Sequence, residues 1–171
     1  IARIGTIEQR HWTVFYARGM SLERSGEWSR AESDFLRALE LQPNQPLVLN
    51  YLGYSWVDMG MRLPEARSMI EKAVSQRPND GYIVDSLGWV LYRLKDFDAA
   101  LVHLERAVEL RPNDPVITDH YGDALWQTGR RTEARFQWRR ALSLNPNPDL
   151  LKSVEEKLQR GGPTNLQTSD Q

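Results

Sequence analysis

Four glycines, Gly19, Gly53, Gly88 and Gly122, stand 34, 35 and 34 residues apart, and each heads the same series of landmarks. Behind them come Ala31, Ala66, Ala100 and Ala134, then Ala38, Ala73, Ala107 and Ala141. Each series closes on a proline followed by asparagine: Pro43, Pro78, Pro112 and Pro146. No total over the chain constrains the fold as much as this recurrence. A unit of this length is one supersecondary motif, which cannot bury its own apolar face and must stack on its neighbours. The units run 12–45, 46–80, 81–114 and 115–148, the second one residue longer in "MGMRLPEA".

Each unit holds two apolar-periodic stretches of about three to four turns, separated by a short polar turn such as "RSGEWS", "RLKDFD" or "QTGRRT". That pattern predicts a pair of helices. The glycine on the first helix and the alanine pair on the second remove side-chain bulk, so the two backbones can approach closely. The closing proline ends the second helix, having no N–H to donate and restricting its neighbour. Pro64 fits a first helical turn, where the missing donor costs nothing. After the fourth unit, "NPDLLKSVEEKLQR" places Leu150, Leu151, Val154 and Leu158 on one stripe, which predicts a capping helix over 149–160. Residues 161–171, beginning Gly-Gly-Pro, are expected to form a flexible tail, and residues 1–11 an N-terminal remnant or linker. The first residue is Ile and no apolar leader stretch follows, so the chain reads as a piece of a longer protein.

These residues resemble the tetratricopeptide repeat, across most of the chain. Three positions depart from the usual pattern. Arg18 stands where a large apolar residue is customary, Lys95 replaces the inter-helix glycine, and Ile70 sits at an aromatic-favoured position. The resemblance implies an all-α solenoid: four helix-turn-helix repeats and a capping helix, wound into a right-handed superhelical arc. Its first helices would line a concave groove.

"DSLGWVLYRLKDF" then poses a question. Leu87, Leu91 and Leu94 make the buried stripe, yet Asp85, Trp89 and Tyr92 cluster roughly 140–200° away, where a surface helix would carry charge. On a solenoid that side faces the groove. The matching positions are Tyr16, Met20 and Glu23; Asn50, Tyr54 and Val57; and Asp119, Asp123 and Trp126, with Arg24, Asp58, Arg93 and Gln127 beside them. The expected groove is an aromatic floor edged by carboxylates, with Tyr54, Trp89, Tyr92 and Trp126 as anchors for a peptide or partner segment. Packing of these rings between adjacent repeats is the competing reading. Trp12, Trp28, Trp56 and Trp138 are assigned mainly to helix packing. Family members that grip a terminal carboxylate use Lys and Asn on first helices. Here those positions hold Tyr16, Met20, Asn50, Tyr51, Asp85 and Ser86, so no such clamp is expected. Asp85, Asp119 and Asp123 suit a partner carrying Lys or Arg.

Other chemistry finds little support. With no cysteine there is no disulfide, thiolate nucleophile or Cys-ligated metal. No GxSxG, phosphate loop or HExxH occurs, and the segment reads as no enzyme, with no cofactor. His120 beside Asp119 and three residues before Asp123 falls short of the ligands zinc needs. Lys and Arg number 22 against 23 Asp and Glu, for a formal charge of −1, which disfavours nucleic acid. No apolar run is long enough for a membrane helix. The alternative site is a basic stripe of Arg131, Arg135 and Arg139, which could contact nucleic acid or acidic lipid.

"DSLGWVLYR" and "DHYGDALW" further resemble the C-terminal repeats of long proteobacterial tetratricopeptide proteins, over about residues 46–145. Some of that group are envelope lipoproteins, and one type recruits a carboxyl-terminal processing protease. The resemblance implies a scaffold or adaptor in the periplasm or at the outer membrane, with the cytoplasm as the alternative. Self-association through capture of the tail is a further option.

Overall fold

The computed structural model describes residues 8–163. Among them a short 3-10 turn (Gln9–His11) precedes nine helices: α1 (Trp12–Arg24), α2 (Trp28–Leu41), α3 (Pro46–Asp58), α4 (Leu63–Gln76), α5 (Gly81–Arg93), α6 (Phe97–Leu110), α7 (Pro115–Gln127), α8 (Arg131–Ser143) and α9 (Pro148–Arg160). No strand occurs among the described residues. The expected tail beyond residue 163, and the linker before residue 8, lie outside them.

Local chemistry sets the helix starts. Asp80, Asp96, Asp114 and Asn147 cap α5, α6, α7 and α9 by accepting backbone N–H groups of the first turn. Pro46, Pro115 and Pro148 occupy the first position of α3, α7 and α9, where an N–H would have had no partner.

Consecutive helices pack as hairpins, α1 on α2 through α7 on α8, and each hairpin stacks on the next to form the solenoid. The recurring small residues sit at the tightest contacts. All eight recurrent alanines are fully buried. A Cβ on Gly88 would come within 2.5 Å of Leu104 Cγ, and one on Gly122 within 2.6 Å of the Trp138 ring. Phe35 and Ile70 meet Gly19 and Gly53 in the same way. Ile70 therefore does the job of its aromatic counterparts, by filling the space the glycine leaves. Arg18 is accommodated differently: its guanidinium pairs with both oxygens of buried Asp34 and lies over the Phe15 ring.

Lys95 is the third departure, and the backbone shows what it costs. The hairpin turns use a left-handed residue, supplied by glycine at Gly26 (φ 77°) and Gly129 (φ 84°), whereas Lys95 adopts φ 65° with a side chain in place. Left-handed geometry is unfavourable for a residue bearing a Cβ. Lys95→Gly should therefore stabilise the chain by about 0.5–1 kcal/mol. A rise in the urea midpoint at unchanged m-value would show it; a fall would refute the assignment.

Candidate functional site: the concave face

The first helices of the repeats, α1, α3, α5 and α7, line a concave pocket of about 540 Å³. Its wall combines Trp28, Tyr51, Tyr54 and Tyr82 with the carboxylates Glu23, Asp58, Asp85 and Asp114, and with Asn50, Ser55 and Ser86 between them. Of the expected groove residues, Asn50, Tyr54 and Asp85 are in this wall. Asn50 Oδ1 is buried without a hydrogen-bond partner among the described residues. Burial raises the Tyr54 hydroxyl above its ordinary pKa, and Asp85 and Asp58 add to the rise.

The pocket runs diagonally across the stack. Tyr54 and Asp58, late in α3, face Asp85 in the middle of α5 and Asp114, which precedes α7. Straight alignment of equivalent positions therefore missed Tyr82, Val116 and Asp114. Tyr82 and Val116 belong to the first turns of α5 and α7, and Asp114 is the cap of α7. Trp28, assigned to packing, is half-buried and also reaches the pocket, with its indole N–H unpartnered.

The remaining expected groove residues are elsewhere or already engaged. Val57 is fully buried and Tyr92 nearly so, at 1% exposure. Both belong to the main apolar core, Val57 from α3 and Tyr92 from α5, and α5 touches α3, α4, α6 and α7. Trp89 is half-buried, stacking on Tyr92 at 4.9 Å and on His120 of α7 at 4.0 Å between ring centres. The rings of Trp89 and Tyr92 thus face the next repeat and not an open groove, which answers the question their placement raised. Tyr16 packs edge-on against Tyr51 at 5.9 Å and against Phe35, joining the first two repeats. Arg93 sits at the rim, its Nη1 donating to the Asp58 carbonyl at 3.5 Å.

The three aspartates expected to await a cationic partner have partners from within the chain. Asp85 receives His120 Nδ1 at 3.0 Å, in a contact 35 residues apart in sequence. Burial pushes the His120 imidazole pKa down, but the Asp85 charge and hydrogen bond outweigh it, so the net shift is upward. Asp119 and Asp123 share the Lys157 ammonium, which α9 inserts at 2.7 Å from one carboxylate and 2.8 Å from the other. Trp126 is covered too: it lies 5.3 Å from Trp138, and Gly162 after α9 passes so close that a Cβ there would meet its indole at 2.8 Å. The C-terminal end of the expected groove is thus closed by the chain itself.

The alternative basic stripe is broken up in the same way. Arg131 lies over the Trp126 ring at 5.2 Å, and Arg135 donates to the Leu158 carbonyl at 3.2 Å, which ties α8 to α9. Arg139 remains exposed. Among the described residues no group of three His, Asp or Glu side chains has a metal-binding arrangement, and no helix is long and apolar enough to cross a membrane.

A tetratricopeptide repeat family model matches residues 6–146. The chain belongs to the tetratricopeptide repeat family. A TPR repeat-containing protein of Pseudomonas aeruginosa is 36% identical over 80 residues, covering 47% of this chain and 14% of that protein. The chain thus spans a small fraction of that relative's length. A thermophilic TPR protein of Thermus thermophilus, TTC0263, superposes with a TM-score of 0.77 at 22% identity, covering 88% of this chain and 82% of that one. MamA of strain AMB-1 superposes at 0.66 with 25% identity, covering 78% and 79%. Tetratricopeptide proteins are generally protein-interaction scaffolds, and stacked hairpins that leave a concave pocket suit that use.

Proposed function

We propose that this tetratricopeptide segment is a non-enzymatic scaffold that holds an extended partner segment in the pocket between α1, α3, α5 and α7. The observation that carries the reading is the pocket: its volume and aromatic wall are those of a binding site, with polar groups placed among apolar ones. Tyr and Trp contribute large contact area at low entropy cost, which favours them at such surfaces. The setting is a bacterial envelope, in the periplasm or at the outer membrane as part of a lipoprotein. That part rests on the wording of residues 46–145, and the partner class it names is a carboxyl-terminal processing protease.

Capture from extract tests the reading when the parent chain is compared with two double variants, Tyr54→Ala/Tyr82→Ala in the pocket and Val102→Ala/Phe136→Ala on the opposite helices. The pocket variant should lose the retained proteins and the other should keep them. The reading fails if the pocket variant retains what the parent does. An envelope protease among the lost proteins would support the partner, and a set of purely cytoplasmic proteins would reject the setting.

A further inference from the structure

We propose that the concave pocket seats the cationic head of an Arg or Lys side chain carried by the extended partner segment. This rests on the groove reading and adds the chemistry of the occupant. The wall holds Glu23, Asp58, Asp85 and Asp114, and no Lys, Arg or His. Asp85 is engaged by His120, which leaves the carboxylates of Glu23, Asp58 and Asp114 in the wall. Among the described residues Glu23 accepts the Tyr51 hydroxyl, at 3.1 Å, and Asp114 accepts the Val116 and Ile117 N–H groups. Neither contact brings a cation. The Asp58 carboxylate has no ion pair among the described residues, because Arg93 goes to its carbonyl.

The wall is also rich in ring faces, which attract cations. The chain itself shows one such contact at the rim, where Arg111 lies over Tyr82 at 4.6 Å. Burial raises the Tyr54 hydroxyl, and Asp85 and Asp58 add to the rise against an opposing pull from Arg93. At about 540 Å³ the cavity has room for more than one side chain.

Random-sequence peptides displayed as a library and panned against the whole chain test the proposal. Enriched peptides should share an Arg or Lys flanked by apolar residues. Replacing that residue by uncharged citrulline or norleucine in a synthetic peptide should weaken binding about tenfold, as should Glu23→Gln/Asp58→Asn in the protein. Added salt should weaken the parent complex and hardly change the variant's. Should the double variant lose helicity, the uncharged peptide against the parent chain decides alone. Enriched peptides without a cation, or indifferent to these changes, overturn the proposal and leave the groove reading standing. No enrichment at all overturns both.

Discussion

Replacing Lys157 with Met is expected to undock α9, at a cost of about 3–5 kcal/mol for leaving buried carboxylates without their cation. Lys157 is 11% exposed, and the Asp119 and Asp123 side chains it joins are 6% and 4% exposed. The helix is terminal, so the chain has a cheaper response than global unfolding: α9 detaches and water reaches the two aspartates. Hydrogen exchange should show the α9 amides losing protection while α3 to α6 keep theirs. Equal protection of α9 in parent and variant would show that apolar contacts through Val154 hold the cap without the ion pairs. The loss should also depend on pH. Asp123 sits at about 6, pushed up by burial first and by Asp119, with Lys157 pulling it back. A group with a raised folded pKa contributes stability that is full below its unfolded value and lost as pH rises through the folded one. Removing the ammonium raises Asp123 further, so the variant's deficit should be smaller at about pH 5 than at about pH 8.

Trp138→Ala should be about as costly, roughly 3–5 kcal/mol, and here the whole C-terminal half should feel it. The ring is fully buried, fills the space that Gly122 leaves, packs on Trp126, and donates its indole N–H to Asp123 at 3.0 Å. Alanine would open a cavity and remove a donor from a carboxylate that already lacks water. Phe136, two residues earlier on the same helix, is 63% exposed, and Phe136→Ala should change stability by no more than about 0.5 kcal/mol. Guanidinium unfolding of the two variants side by side measures the contrast. Similar losses would mean that the outer face of α8 is covered.

Much of the fold was legible because its determinants are local or strictly periodic. A glycine followed 16 or 17 residues later by a large side chain specifies a close helix hairpin whatever surrounds it, as Gly122 with Trp138 and Gly53 with Ile70 show. The site was legible in part. Asn50, Tyr54 and Asp85 reached the pocket wall. Val57 and Tyr92 did not, because a helical wheel reports direction from an axis and not what lies in that direction. For Val57 and Tyr92 the answer is the apolar core.

The amino-acid order by itself determined the repeat, the hairpin, the helix ends and the small-residue contacts, since each depends on neighbours within one unit. Tertiary structure alone decided which polar faces stay open. The partners that close them are 34 to 38 residues away, His120 on Asp85 and Lys157 on Asp119 and Asp123, and nothing in their local sequence marks them as pairs. Stacking of successive repeats brings those groups together, and it leaves Glu23, Asp58 and Asp114 around a cavity that the described chain does not fill.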